Sequence, residues 1–341
     1  MSVPEPDFAP ALKTALLRVF DDAESMSSLV RLSGGASQET WAIGLALKTG
    51  EVRRLVMRRA PGGGAAPRAG VGTAAAGLET EARVIARVWE AGVPVPPVPY
   101  VFVPEDGVGS AYLMEFVAGE TIARKILRDA EFDAVRPRLA HQCGEILARI
   151  HACGADAVDG LRVSTARDQL RQYEDTYRGY DFPHPVFDYA FKWLDTRLSA
   201  TDAPTLVHGD FRNGNLMIAP DGVRAVLDWE LTHVGDPLED LSWICVNSWR
   251  FGVSNKVVGG FGDVADLLAG YAEGGGRAYS VEDVRTWEVF GTLKWGVMCM
   301  GMYQAFATGY DRSVERAAIG RRSSETEIDL VNLLISGTKR P

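Results

Sequence analysis

The segment Leu206-Val207-His208-Gly209-Asp210-Phe211-Arg212-Asn213-Gly214-Asn215-Leu216, followed by Val226-Leu227-Asp228-Trp229-Glu230, carries the chemistry of this chain. It sets one carboxylate on a loop, a carboxamide five residues later, and a second carboxylate at the end of an apolar run. Phosphoryl transfer from a nucleotide needs those groups: a base that accepts the proton of a hydroxyl, and oxygen ligands for Mg²⁺. Mg²⁺ takes hard oxygen donors and draws only a few of them from protein, the rest coming from phosphate and water. Asp210 is the candidate base, because a carboxylate within hydrogen-bond reach can both orient and deprotonate the attacking hydroxyl. Asn215 and Asp228 are the candidate metal ligands. Taken alone, His-Gly-Asp would be read as a turn; the coincidence of three parts of one site favours the kinase reading.

Neighbouring residues are weighed the same way. Arg212 stands where a cation could offset charge on the transferred phosphate, against the plainer reading of a solvated arginine. Glu230 could reach metal or substrate. His208 is read as a structural brace, since no second His or Cys lies at metal-ligand spacing. Asp236 between Gly235 and Pro237 reads as a helix N-cap, and Asp240 as a brace behind the catalytic loop.

These groups need elements to hold them. Residues 28–32 and 40–47 flank Ser33-Gly34-Gly35-Ala36-Ser37 and suggest a hairpin; Gly34, Gly35 and Ser37 would let backbone N–H groups approach nucleotide phosphates. A third strand over 53–59 ends in Leu55-Val56-Met57-Arg58-Arg59. Arg58 is the candidate cation for the phosphates, with Glu81 on the following helix as its partner; Arg59 is the fallback, turned to the other face by strand alternation. Residues 61–77 collapse to Gly, Ala and Pro and read as a mobile loop. Helical spacing over 78–91 places Leu78, Ala82, Ile85, Val88 and Trp89 on one stripe, and two further strands are expected at 100–103 and 111–116. Beyond Gly119 the pattern turns helical, at 138–151, 165–177, 186–198, 237–249, 284–306 and 315–335. The first third thus reads as strands around one helix.

At 341 residues the chain can form two lobes with a cleft. A formal net charge of −9 argues against nonspecific nucleic-acid binding. Cys143, Cys153, Cys245 and Cys299 form no CxxC pair and read as buried thiols of a reducing compartment. Neither a signal peptide nor a run of about 18 apolar residues is evident, so the expectation is a cytoplasmic protein without membrane partners. Oligomeric state is not indicated.

With these residues in view, the chain resembles the aminoglycoside phosphotransferase family, whose fold is that of protein kinases. His208-Gly209-Asp210 to Asn215 and Asp228-Trp229-Glu230 are similar to its signature. The stretch from Leu227 through Asp236-Pro237-Leu238-Glu239-Asp240-Leu241, with Val56-Met57-Arg58-Arg59-Ala60-Pro61 and Arg167-Asp168-Gln169-Leu170-Arg171, resembles the branch fused to some acyl-CoA dehydrogenases. The resemblance implies an α+β, two-lobed fold: a β-rich N-terminal lobe with one main helix over 1–117, and a larger, mainly helical lobe over 118–341. It implies Asp210 as base, Asn215 and Asp228 on Mg²⁺, Arg58 and Glu81 as the pair that anchors ATP, and adenine met by the backbone of Glu115 and Val117. Arg58 departs from the family's usual lysine, keeping its charge but not its shape. The expected function is ATP- and Mg²⁺-dependent phosphorylation of a hydroxylated small molecule. The rival is a pseudokinase, a nucleotide-binding module without turnover; Asp-Trp-Glu in place of Asp-Phe-Gly counts against a protein kinase. Glu174, Asp175, Asp181 and Asp188, which a polycationic acceptor would need, are interleaved with Arg167, Arg171, Arg178 and Arg250. A hydroxylated acyl thioester, or another acceptor with an anionic handle, fits at least as well.

Overall fold

The computed structural model describes residues 6–32, 38–64, 75–201 and 203–335. The glycine turn with Gly34, Gly35 and Ser37, and the middle of the expected loop at 65–74, lie outside them.

Five strands form one antiparallel sheet: β1 (Ala23–Leu32), β2 (Glu39–Leu47), β3 (Val52–Arg59), β4 (Tyr100–Val101) and β5 (Ala111–Glu115), in the order β1-β2-β3-β5-β4. Alternation along β3 divides its residues between two faces. Leu55, Met57 and Arg59 point to one side, where α1 (Ala9–Val19) packs through Leu12, Ala15 and Leu16. This helix was not anticipated. Its apolar stripe is only four residues deep, and Pro10 suggests a loop until it is seen at the first turn, where proline costs no hydrogen bond. Val56 and Arg58 point the other way, toward α2 (Leu78–Glu90) and the helical part.

The buried residues of α2 are Leu78, Glu81, Ala82, Val84, Ile85 and Val88, with Glu81, the expected partner of Arg58, turned inward beside the apolar stripe. Trp89, expected on that stripe, is 51% exposed. The apolar residues of α2 belong to the main core, which is continuous with that of the helical part, rather than to the sheet's own core under α1. The helix that carries Glu81 is thereby packed against the same body that carries the loop with Asp210 and Asn215.

The helical part comprises α3 (Ala123–Arg128), α4 (Arg136–His151), α5 (Ala166–Gly179), α6 (Pro185–Asp195), α7 (Pro237–Trp243), α8 (Val264–Glu273), α9 (Val281–Ala307), α10 (Val314–Gly320) and α11 (Ser323–Ile335). Two short two-stranded antiparallel sheets interrupt it: β6 (Thr205–Val207) pairs with β9 (His233–Gly235), and between them β7 (Leu216–Ala219) forms a hairpin with β8 (Gly222–Val226). Two expected helices are shorter than their apolar patterns. The one expected over 237–249 ends at Trp243 and gives way to a 3₁₀ turn at Asn247–Arg250, and the one over 315–335 is broken between Gly320 and Ser323. Helices α3 and α8 carry too little periodicity to have been seen. All four cysteines are free and buried, and among the described residues no helix is long and apolar enough to cross a membrane.

Helices α4 and α8 cross backbone to backbone. A Cβ on Gly144 would overlap the carbonyl oxygen of Leu267, and one on Gly270 that of His141. Gly270→Ala is therefore expected to lose about 1–3 kcal/mol despite alanine's better helix propensity, because main chain cannot yield as a side chain can. Chemical denaturation checks this, with Gly179→Ala as control, since a Cβ there meets nothing within 4 Å.

Candidate active site

The loop between β6 and β7 is held from beneath. Gly209 has φ +80° and a Cβ there would meet the carbonyl of Leu231, so only glycine fits. The carboxylate of Asp240, on α7, accepts the backbone N–H of His208 (2.7 Å) and of Gly209 (2.9 Å). His208 is fully buried; its Nε2 donates to the carbonyl of Leu227 (3.0 Å) while Nδ1 accepts the N–H of Asp210 (3.1 Å). Burial lowers the pKa of the imidazole, against the pull of Asp240 and Asp210. A neutral ring suits that arrangement, with the proton on Nε2 assigned by the bonding pattern. Both residues brace the loop, as their sequence context suggested. Asp236 caps α7 by accepting the N–H of Leu238 (2.9 Å), with Pro237 in the first turn.

The loop presents Asp210 to three donors. Oδ1 accepts from the indole Nε1 of Trp243 (2.6 Å) and from Nε of Arg212 (3.0 Å). Oδ2 accepts from Nδ2 of Asn215 (2.7 Å) and more distantly from the same Arg212 nitrogen (3.2 Å). Asn215 thus spends its amide nitrogen on Asp210, which leaves its oxygen for a hard cation. The guanidinium of Arg212 lies over the ring of Trp249, 4.6 Å from its centroid. The structure places Arg212 on the candidate base itself, where sequence spacing had suggested the transferred phosphate.

Asp228 follows β8 in a left-handed conformation, φ 68° and ψ 67°, which aspartate tolerates better than most residues with a Cβ. Its Oδ1 accepts from both terminal nitrogens of Arg58 at 3.0 Å. Arg58 also meets Glu81 at 3.5 Å and Glu230 at 3.9 Å, and donates through Nε to Gln38 (2.9 Å). The expected Arg58–Glu81 pair is therefore one edge of a junction that ties β3, α2 and the Asp228 loop together. Burial opposes the charge on Arg58, but the carboxylates of Glu81, Asp228 and Glu230 outweigh it and hold its pKa above the ordinary value. Burial pushes Glu81 up, against Arg58. A lysine could not make this junction: one ammonium cannot offer a planar fork to three acidic groups and an amide. Arg59 turns to the α1 face, over the ring of Phe8 and onto Glu39 (2.9 Å), and takes no part in the site.

At the linker after β5, the N–H of Glu115 donates to the carbonyl of Pro97 (2.9 Å) and its side chain pairs with Arg53. What Glu115 can offer an adenine ring is its carbonyl. Val117 is half-buried just before Glu120, whose backbone bridges Ile218 of β7 in both directions (2.8 and 2.9 Å). The glycine-turn candidates Gly34, Gly35 and Ser37 are outside the described residues.

Sequence reasoning missed Trp243, Gln38 and a buried pair behind the site. Lys294 of α9 and Glu239 of α7 meet at 3.0 Å, both less than 5% exposed. Glu239 also accepts from Gln169 (2.7 Å) and lies 3.1 Å from His233, and Lys294 stands 4.8 Å from the Trp243 ring centroid. Only a buried acidic residue next to the Asp236 cap could have drawn attention to Glu239 in the sequence; Trp243 and Lys294 offered no signal. Arg250, grouped by its sequence with the arginines interleaved among the acidic residues of the acceptor region, is instead buried and paired with Glu288 (2.6 Å).

Comparison with known proteins agrees with this geometry. Residues 28–283 match the model of the "Phosphotransferase enzyme family". Mouse acyl-CoA dehydrogenase family member 10 is 28% identical over 314 residues, 86% of this chain but 28% of that protein. The chain thus spans less than a third of that curated relative's length. Among solved structures, a candidate aminoglycoside phosphotransferase from Ralstonia eutropha JMP134 superposes with a TM-score of 0.73 at 22% identity, covering 97% of this chain and 99% of that one. A thermostable mutant of aminoglycoside phosphotransferase APH(4)-Ia, in ternary complex with AMP-PNP and hygromycin B, gives 0.60 at 18% identity, covering 96% and 100%. These structures share the fold, a kinase-like α+β architecture with an N-terminal antiparallel sheet and a larger helical part. With three quarters of its length matched by the family model, the chain belongs to the phosphotransferase enzyme family.

Proposed function

We propose that this protein is an ATP- and Mg²⁺-dependent kinase that phosphorylates a hydroxyl of a small molecule. One observation carries the reading: Asn215 holds the Asp210 carboxylate through its nitrogen, so that a base and a free amide oxygen come from the same contact. Residues 1–117 would form the nucleotide lobe and 118–341 the catalytic and acceptor lobe. The donor set of Asn215 and Asp228, both hard oxygen, suits Mg²⁺. Bound there, Mg²⁺ would neutralise charge on the β- and γ-phosphates. Asp210 orients the acceptor hydroxyl and takes its proton as the oxygen forms a bond to the γ-phosphorus. The bond from that phosphorus to the β–γ bridging oxygen breaks, and ADP leaves with the electron pair. Arg58, held by Glu81, is the cation for the nucleotide phosphates; Arg212, the most exposed of the three donors on Asp210, is the one that can yield its place to the hydroxyl.

The acceptor is read as a hydroxylated acyl thioester or a comparable molecule with an anionic handle. Glu174 and Asp188, which would attract a polycation, are both engaged by Arg178. The acyl-CoA dehydrogenase relative supports the same class, whereas APH(4)-Ia was crystallised with hygromycin B. The rival reading, a nucleotide-binding module without turnover, draws on Arg58, whose guanidinium sits on the metal carboxylate Asp228.

A thermal-shift titration tests the nucleotide site. Mg·ATP at about 100 times its dissociation constant is expected to add roughly 2.7 kcal/mol of stability, and this gain is expected to vanish without Mg²⁺ and in Asp228→Ala. No shift with either ATP or GTP would sink the kinase reading. A shift without transfer of the γ-phosphate to any hydroxyl or to water would leave the binding module.

A further inference from the structure

The indole of Trp243 is built into the environment of the candidate base, and nothing in the motif accounts for it. Of the donors on Asp210, Arg212 lies on the loop itself and Asn215 five residues along; Trp243 arrives from the end of α7, 33 residues away in sequence. Its Nε1 to Oδ1 distance, 2.6 Å, is the shortest of the set. The ring is 2% exposed and held on several sides. Lys294 lies 4.8 Å from its centroid, and Trp249 packs against it at 5.4 Å with a tilt of 54°. Gly291 of α9 faces it at a point where a Cβ would press within 3.3 Å of the ring and 2.9 Å of Val246. Lys294 is in turn fixed by Glu239, and Glu239 by Gln169.

We propose that Trp243 is the positioning residue of the catalytic base: anchored by α7 and α9, it fixes the Asp210 carboxylate through Oδ1 while Asn215 fixes Oδ2. This rests on the phosphotransferase reading above. A carboxylate has about four lone-pair positions, and two rigid, buried donors take one on each oxygen. The acceptor hydroxyl is then confined to the positions that Arg212 occupies, on the more exposed side, so the direction of attack is set before substrate arrives. An indole suits this role because it donates one hydrogen bond without bringing a charge that would compete with the phosphates.

The test has a spectroscopic and a kinetic arm. In a ¹⁵N-indole spectrum of the full chain, which contains eight tryptophans, Trp243→Phe identifies the Trp243 signal. Asp210→Asn is expected to move that signal upfield, as its acceptor loses charge. In the kinetic arm, Mg·ATP is hydrolysed with water as acceptor and phosphate release is followed. Trp243→Phe is expected to leave the Mg·ATP concentration at half-maximal rate within about twofold and to lower turnover roughly 10- to 100-fold, the scale of one hydrogen bond to a charged group. Gly291→Ala, which displaces the ring without removing its N–H, is expected to lower turnover in the same direction. An indole signal that ignores Asp210→Asn, or turnover within about twofold of wild type in folded Trp243→Phe, overturns the proposal alone. A wild-type protein that neither binds nor hydrolyses Mg·ATP overturns the phosphotransferase reading and this proposal with it.

Discussion

Asp210→Asn is expected to lower phosphoryl transfer by about 10²- to 10⁴-fold, the range over which a positioned general base accelerates a reaction. The substitution keeps the size of the side chain but removes its charge and most of its basicity. It also sets an amide NH₂ where only donors converge, since Trp243, Arg212 and Asn215 all donate to this carboxylate. One of those donors must then turn away, and Arg212, less buried than the other two, is the one expected to do so. In the proposed function nucleotide binding rests on Arg58, Glu81 and Asp228, none of which bonds to Asp210 directly. The thermal shift with Mg·ATP should therefore persist while turnover collapses, so that kcat falls and the half-saturating nucleotide concentration changes little. A variant that retains more than about a tenth of wild-type turnover would show that Asp210 is not the base.

Lys294→Met is expected to destabilise the fold by about 3–5 kcal/mol at neutral pH, the cost of leaving one member of a buried ion pair without its partner. Lys294 and Glu239 meet at 3.0 Å with exposures of 3% and 4%. Burial pushes Glu239 toward its neutral form, but Lys294, His233 and the Gln169 bond outweigh it and hold the carboxyl below the ordinary range. Burial likewise works against the charge on Lys294, and Glu239 holds its pKa above the ordinary value. A carboxyl whose folded pKa lies below its unfolded value near 4.5 stabilises fully above that pH and less as pH falls below it. An ammonium whose folded pKa lies above its unfolded 10.5 stabilises fully below that pH and less as pH rises past it. The pair is thus at full strength across the neutral range. In Lys294→Met the stranded Glu239 can escape by taking a proton, so the deficit should shrink toward pH 4. Denaturation midpoints at pH 4, 5.5 and 7 would show this trend, and a deficit independent of pH would mean lost packing rather than a stranded charge. The double variant Lys294→Met with Glu239→Gln should recover much of the loss, since no buried charge remains. Because Lys294 also stands beneath the Trp243 ring, the single variant is expected to slow turnover as well.

The departures from sequence expectation have specific causes. Trp89 fits the apolar spacing of α2 yet is exposed in the last turn of the helix, since spacing gives the face on which a side chain lies but not how far along that face the neighbouring elements cover it. Arg212, a candidate by its spacing for offsetting charge on the transferred phosphate, bonds Asp210, a contact not legible in the sequence because spacing along a loop says how far a side chain reaches, not which way it turns. Arg250 looked like an acceptor-site cation until the 3₁₀ turn at Asn247–Arg250 carried it into the core against Glu288. The short helix α1 was overlooked because what stabilises it is the sheet it covers, through Leu12 and Leu16 against Ile43, Leu45 and Leu113, rather than any propensity of its own.

What the sequence determined by itself is whatever depends on short separations. The spacing of Asp210 to Asn215 within one loop, the alternation that sends Arg58 and Arg59 to opposite faces of β3, and the Asp236-Pro237 cap are consequences of local geometry, and local geometry is written in adjacent residues. What only the tertiary structure decided is which groups meet across the chain. Arg58 joins Asp228 over 170 residues, Trp243 reaches back to Asp210 over 33, and Lys294 finds Glu239 over 55. Such contacts form because burying the apolar faces of α2, α7 and α9 brings their polar residues together in places where each must find a partner. No spacing rule contains that information, since it arises only once the core is packed.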